Sequence, residues 1–196
     1  MRLRLIKKPF DHPDYLFELK HDGFRTIAYI DSGDCRLVSR NLRVLPFKSL
    51  RASLAAITNA ILDGEIVVLD YSGVSQFNAL LSRKGEEVAV FYAFDLIWMN
   101  GTDLRELPLV ERKKRLCELV RTSRCQRLLY AQHIDGAGKH FFEEICVRDL
   151  EGIVAKRKLG VCKDDGNSWL KIKNRSYSQA EGRHELFTRQ SRAAKT

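Results

Sequence analysis

The residues best suited to chemistry fall in four short groups: Glu18-Leu19-Lys20-His21-Asp22-Gly23-Phe24-Arg25, Asp63-Gly64-Glu65, Glu151-Gly152-Ile153-Val154-Ala155-Lys156 and Trp169-Leu170-Lys171-Ile172-Lys173. A lysine amine attacks an electrophile only after losing its proton, and neighbouring cations or partial desolvation ease that loss. Lys20 ends an apolar run and is followed by an acid, a glycine and an arginine, which makes it the candidate nucleophile. Lys171 and Lys173 alternate along a strand-like segment, so both face one side and can reach one anionic phosphate. Glu65 and Glu151 offer the hard carboxylate oxygens that Mg²⁺ prefers. Asp22 is placed to orient Lys20 or Arg25 through a hydrogen bond. Gly23, Gly64 and Gly152 allow tight turns or close backbone approach to a ligand. Taken singly, each lysine fits a solvated surface group, Glu65 a turn residue and Glu151 half of a surface pair with Lys156. Phe94 suits base stacking or core packing; Arg25 and Arg40 suit a sugar or phosphate contact, or plain solvation. Together the groups describe a basic, metal-assisted site for a nucleoside triphosphate.

Other chemistries lack their patterns. Neither a GxxxxGK[ST] phosphate loop nor a GxGxxG dinucleotide motif is present. Ser39 and Ser75 have no His/Asp arrangement around them, which argues against a serine triad. The five cysteines form no CxxC pair and stand at no zinc spacing, as expected of free thiols in a reducing compartment. The net charge of +9 should attract polyanions, nucleic acid first among them. Hydrophobic residues at 44% and charged residues at 30% fit a folded domain rather than a disordered chain. Met1 to Ile6 is too short for a secretory apolar core, and no apolar run is long enough to cross a bilayer. The expected location is the cytoplasm, without membrane partners.

The elements that must position these groups read as follows. Tyr15 to Lys20 and Phe24 to Ile30 suggest two strands joined as a hairpin at Asp22-Gly23, with Lys20 at a strand end facing a cavity. Asp31 to Asp34 is a turn leading to a strand over Cys35 to Ser39, and Arg40 to Arg43 is turn-like. Phe47, Leu50, Leu54 and Ile57 have helical spacing. Ala60 to Leu69 is strand-like, Phe77 to Leu81 a short helix, and Val88 to Met99 a strand ending at the Asn100-Gly101 turn. Leu109 to Val120 is an amphipathic helix with Arg112, Lys113, Lys114 and Arg115 on its solvated side. A helix over His140 to Arg148 precedes strands over Ile153 to Lys156 and Trp169 to Ile172, joined by a polar loop over 163–167. Beyond Asn174 the pattern weakens into a basic end containing Arg183, His184, Arg189, Arg192 and Lys195. This grouping favours an α+β fold over a regular parallel βαβ one.

The ordered set resembles the covalent nucleotidyltransferase superfamily, and most closely the adenylation domain of ATP-dependent DNA ligases. Lys20-His21-Asp22-Gly23-Phe24-Arg25 is similar to motif I and Asp63-Gly64-Glu65 to motif III. Phe94-Asp95-Leu96 resembles the neighbouring aromatic motif, Glu151 to Val154 with Lys156 motif IV, and Trp169 to Lys173 motif V. The resemblance implies a nucleotidyltransferase (ATP-grasp-like) fold, with antiparallel sheets and flanking helices around an ATP cleft. It implies that Lys20 takes AMP from ATP, that Glu18 recognises the adenine amine and that Phe94 stacks on adenine. Arg25, Glu65 and Arg40 would position sugar or phosphates, Glu151 would be linked to the metal, Mg²⁺ or a similar ion such as Mn²⁺, and Lys171 and Lys173 would hold the α-phosphate. The implied partner is nicked duplex DNA, whose 5′-phosphate receives AMP before the strand is sealed.

Residues 1–174 are then expected to form the adenylation domain and 175–196 a basic C-terminal extension, with no complete oligonucleotide-binding domain. Tyr177 to Phe187 resembles connecting sequence in compact bacterial ligase-like proteins. A protein partner would supply surfaces that the chain lacks. RNA-ligase-type adenylyl transfer and nonenzymatic nucleic-acid binding are the alternative readings. ATP-dependent labelling of Lys20 separates the last from the others.

Overall fold

The computed structural model describes residues 3–163 and 168–180. In chain order the strands are β1 (Arg4–Leu5), β2 (Tyr15–Leu19), β3 (Phe24–Asp31), β4 (Asp34–Ser39), β5 (Ala60–Val67), β6 (Val90–Met99), β7 (Thr102–Asp103), β8 (Leu128–Tyr130), β9 (His133–Asp135), β10 (Gly152–Arg157) and β11 (Trp169–Lys173). The helices are α1 (Lys48–Ala55), α2 (Arg83–Val88), α3 (Leu109–Ser123) and α4 (Gly138–Val147), with 3₁₀ turns at Phe77–Leu81 and Ser178–Ala180. The strands form two sheets. One runs β1-β11-β10-β2-β9; the other runs β4-β3-β5-β6-β7, with β8 added beside β6. Pairing is antiparallel except at β1–β11 and β6–β8. The fold is α+β, as its sequence pattern implies.

The expected hairpin between Tyr15–Lys20 and Phe24–Ile30 does not form. β2 pairs with β10 and β9, whereas β3 pairs with β4 and β5 in the other sheet. Residues 20–23 are therefore a crossing, not a turn, and the reason lies at Gly23. A Cβ there would stand 2.1 Å from the Ile66 carbonyl oxygen, so the chain passes against β5 only because the side chain is absent. The true hairpin follows, between β3 and β4. Its two loop residues, Ser32 and Gly33, both have positive φ, the backbone twist that tight antiparallel connections favour.

Each sheet has its own core. Leu37, Leu50, Leu54, Leu62, Phe91, Leu96 and Leu116 bury the second sheet under α1 and α3. Phe17, Ile145, Ile153, Leu170 and Ile172 form a smaller cluster between the first sheet and α4. Helix α1 falls within the Phe47–Ile57 pattern, with Leu50 and Leu54 fully buried. One reading of α3 is overturned. Arg112 and Lys113 are not solvated but buried, on the same stripe as Leu109, Leu116 and Leu119; Lys114 and Arg115 do face solvent. Their carboxylate partners come from other elements, which a helical wheel does not show.

Packed chain continues past Asn174. Tyr177 is buried and its hydroxyl donates to Asp22 at 3.0 Å. The polar loop at 164–167 and the basic end from 181 onward, including Leu186-Phe187, lie outside the described residues. No helix among the described residues is long and apolar enough to cross a membrane.

Candidate active site

A cleft of roughly 780 Å³ opens between the two sheets. Glu18, Lys20 and His21 enter it from β2 and the crossing, Lys156 from β10, and Trp169 and Lys171 from β11. Arg25, Glu65 and Phe94 come from β3, β5 and β6 of the opposing sheet, with Arg40 beyond the end of β4. Seven of the residues singled out from sequence thus converge: Glu18, Lys20, Arg25, Arg40, Glu65, Phe94 and Lys171.

Lys20 follows directly on β2, its backbone N–H donating to the Gly152 carbonyl at 2.9 Å. Its ammonium donates to Glu151 Oε2 at 2.6 Å, and the other Glu151 oxygen lies 3.8 Å from Lys173 Nζ. Glu151 is buried at the start of β10, where Gly152 has a positive φ. A Cβ at Gly152 would meet the Ile172 carbonyl at 2.1 Å, so the carboxylate is delivered through a glycine-only bend. Lys173, expected at the α-phosphate, does not line the cleft; its ammonium faces Glu151. Burial holds Lys171 below the usual lysine range, and Lys173, Lys20 and Arg40 push the same way. The cations form one cluster, suited to an anionic ligand.

Glu65 sits across from this cluster. Burial pushes its carboxyl up to about 8; Lys20 and Arg25 oppose the rise, while Glu151 and Asp63 add to it. No group of three or more His, Cys, Asp or Glu side chains among the described residues is arranged to hold a metal. Two nearby carboxylates nevertheless suit Mg²⁺, which is commonly held by one or two carboxylates plus substrate phosphates.

Asp22 does not take the role expected of it. The Lys20 ammonium goes to Glu151, and Arg25 forks onto Asp63, with Nε–Oδ1 3.1 Å and Nη2–Oδ2 2.7 Å. Asp22 accepts the Tyr177 hydroxyl instead. Arg25 also lies 5.3 Å from the centre of the Phe94 ring and 5.2 Å from that of Trp169. The Phe94 side chain is aimed by a bulge. Asp63 pairs with Asp95 and Gly64 with Ala93, so Phe94 is the extra residue of β6. The same register sets Asp63 opposite Asp95, a repulsive pair unless neutralised. Each aspartate has its own arginine: Asp63 has Arg25, and Asp95 has Arg112, with Nε and Nη2 both 2.8 Å from its oxygens.

Glu18 is buried between two lysines. Lys113 Nζ donates to Oε1 at 2.5 Å, and Lys156 Nζ stands 2.5 Å from Oε2. Burial alone would raise the Glu18 pKa, but Lys156 and Lys113 outweigh it and hold the carboxyl below its ordinary value. Burial lowers Lys156 to about 8, against the pull of Glu18. Its ammonium also lies over Trp169 and Phe94, 3.9 and 4.5 Å from the ring centres. These are the features of a slot for a flat, polar-edged ring: an aromatic wall, a cation and an ionised acceptor.

This architecture agrees with what the chain is similar to. The model of the family described as "ATP dependent DNA ligase domain" matches residues 3–173. The chain belongs to that family. It is 30% identical over 178 residues to the multifunctional non-homologous end joining protein LigD of Pseudomonas aeruginosa, covering 86% of this chain and 21% of that protein. It is 30% identical over 186 residues to the SPbeta prophage-derived DNA ligase-like protein LigB of Bacillus subtilis, covering 91% of this chain and 68% of that one. Among solved structures, the ligase domain of M. tuberculosis LigD superposes with a TM-score of 0.74 at 30% identity, covering 88% of this chain and 58% of that one. A mycobacterial DNA ligase D complexed with ATP and MES superposes with a TM-score of 0.72 at 29% identity, covering 88% and 60%. The chain spans about a fifth of the length of the LigD relative from Pseudomonas.

Four residues in or beside the cleft carry no role that the sequence pattern assigns: His21, Lys156 and Trp169, which line it, and Lys113 behind Glu18. Lys156 and Trp169 stand inside the motif segments, and strand alternation with Lys171 was the available signal for Trp169. His21 stacks on Tyr92, with centroids 3.9 Å apart and planes 20° apart. Burial pushes its imidazole down to about 4, and its Nδ1 is the one buried side-chain polar atom without a hydrogen-bond partner among the described residues. Lys113 is the surprise. It lies 95 positions from Glu18, and no local pattern marks it.

Proposed function

We propose that this chain catalyses the adenylyl-transfer steps of an ATP-dependent DNA ligase, with Lys20 as the residue that carries AMP. The observation that carries the reading is the placement of Lys20 at one end of the cleft, among Glu151, Lys171 and Lys173, with the Glu18, Phe94, Lys156 and Trp169 slot in the same cavity. Adenine enters that slot, its amine facing Glu18 and its ring against Phe94. The triphosphate then extends toward the cations. The neutral Lys20 amine attacks the α-phosphorus; an N–P bond forms, the bond to the bridging oxygen breaks, pyrophosphate leaves, and the amine proton is lost to solvent or a carboxylate. Lys171 and Arg40 offset charge that builds on the phosphoryl oxygens. Glu65 and Glu151 would hold Mg²⁺, which when bound supplies neutralisation of phosphate charge.

In the second transfer the 5′-phosphate of a nick displaces Lys20 from AMP, and the net positive chain favours that polyanion. Intact-protein mass measurement after incubation with ATP and Mg²⁺, followed by peptide mapping and a chase with nicked DNA, tests both halves. The expected result is AMP on Lys20, discharged by the nick, and no label on Lys20→Ala. Retention of the same label on Lys20→Ala would falsify the assignment. Absence of any adduct on folded, AMP-free protein points instead to a binding role. The same chase reports whether sealing needs a further partner protein.

A further inference from the structure

Helix α3 carries two consecutive buried cations that serve different sheets. Arg112 is held by Asp95, next to Phe94 in the second sheet, while Lys113 reaches Glu18 in the first. Two of the three Lys113 donors are placed by hydrogen bonds, and the ammonium also has an aromatic neighbour. Nζ donates to Glu18 Oε1 and, at 2.9 Å, to the Ala131 carbonyl, and it lies 4.3 Å from the centre of the Tyr130 ring. Lys113 does not line the ATP cleft; Glu18 does. It therefore approaches Glu18 from behind, on the side away from the ligand space.

Packing alone does not call for a lysine here. Leu109, Leu116 and Leu119 share the buried stripe, and an apolar side chain at 113 would continue it without the cost of desolvating an ammonium. What the ammonium does is fix Glu18. An ionised carboxylate only accepts hydrogen bonds and has about four acceptor positions, whereas a protonated one also donates. Lys113 and Lys156 take one oxygen each, leaving lone pairs for a donor in the cleft.

We propose that Lys113 is a positioning residue for nucleobase selection: by pinning Glu18 from behind, it makes that side chain an acceptor-only reader of the purine 6-position. An exocyclic amine, as in adenine, is accepted; a carbonyl oxygen, as in guanine, is repelled, and a bare ring C–H leaves the carboxylate unsatisfied. The proposal rests on the ATP reading of the cleft given above, and its test separates the two.

The experiment compares the affinity of the full chain for ATP with that for purine riboside triphosphate, the same nucleotide without the 6-amino group. It uses the wild type, Lys113→Met and Lys113→Gln. A hydrogen bond to a charged group gives the wild type a preference for ATP of about tenfold or more. Removing Lys113 is expected to bring the ratio within about twofold of one while affinity for the amine-free nucleotide changes little, because the two deletions act on one interaction. A merely structural role would weaken both nucleotides by the same factor, leaving the ratio at its wild-type value, and that result overturns the proposal. If Lys113→Met does not fold, Lys113→Gln, which still donates to Glu18 but carries no charge, is measured by the same ratio. There a reduced preference supports the proposal and an unchanged one overturns it. A wild type that neither binds ATP nor forms the Lys20 adduct removes the functional reading and this one with it. A wild type labelled at Lys20, with ratios unchanged in the variants, removes this one alone.

Discussion

Replacing Arg112 by alanine is a severe test of how α3 is anchored. Both Arg112 and Asp95 are fully buried, joined by two hydrogen bonds of 2.8 Å, and Arg112 Nη1 donates further to the carbonyls of Leu107 at 2.5 Å and Gly160 at 3.2 Å. Truncation leaves Asp95 buried without its cation, two carbonyls without this donor, and a void where the guanidinium stood. Breaking a buried pair from one side costs about 3–5 kcal/mol. At about 2–4 °C per kcal/mol for a chain of this size, that is a fall in Tm of roughly 6–20 °C. Arg115→Ala, one turn-neighbour away but exposed, should stay within about 0.5 kcal/mol. Urea unfolding followed by tryptophan fluorescence measures both, and Asp95→Asn should resemble Arg112→Ala because it strands the guanidinium. Replacing both partners by apolar residues of similar size should restore most of the loss. An Arg112→Ala variant no less stable than Arg115→Ala would refute the burial on which the argument stands.

Two further outcomes follow from the site. His21 is half-buried, and desolvation of its ring pushes the imidazole down to about 4, against 6.5 when free. Between these values the unfolded state binds more protons, so stability falls as pH drops from 6.5 toward 4, by about 2 kcal/mol at pH 5 for this group alone. His21→Phe, which keeps a ring against Tyr92, should flatten that part of the urea-midpoint profile; an unchanged slope would show that His21 titrates freely. Lys171→Ala should slow formation of the Lys20 adduct far more than it weakens binding to intact duplex, measured side by side. Equal loss of both, without unfolding, would make Lys171 a docking residue.

Much of this arrangement was legible because the site is built from segments whose local pattern is strong. Alternation in Trp169–Lys173 set Trp169 and Lys171 on one side of a strand, and both line the cleft. The spacing of Phe47, Leu50, Leu54 and Ile57 marks a helix because all four residues enter one core from one face. Failures came where distant partners decide. Asp22-Gly23 has the composition of a hairpin turn, yet Gly23 serves close passage against β5, a contact 43 residues downstream at Ile66. Four consecutive cations on α3 look like a solvated face, yet two of them answer carboxylates on β2 and β6. Phe94 left its two roles open because the bulge that turns it toward the cleft depends on the register with β5.

The misread cations expose how this cleft keeps its shape. Glu18, Asp63, Asp95 and Glu151 are all buried, and each meets a cation from a different segment: Lys113 and Lys156, Arg25, Arg112, and Lys20. Such pairs are rarely the most stabilising choice, since well-packed apolar substitutes are often as good or better. Their advantage here is directional. An apolar contact tolerates sliding, whereas a two-point arginine fork or a lysine between two fixed acceptors admits one geometry. The two forks hold Asp63 and Asp95, opposite each other on adjacent strands next to the bulged Phe94, and the lysine pair fixes Glu18 on the facing sheet. Through α3, which carries both Arg112 and Lys113, the two sheets with separate cores are tied to one helix by buried charged pairs.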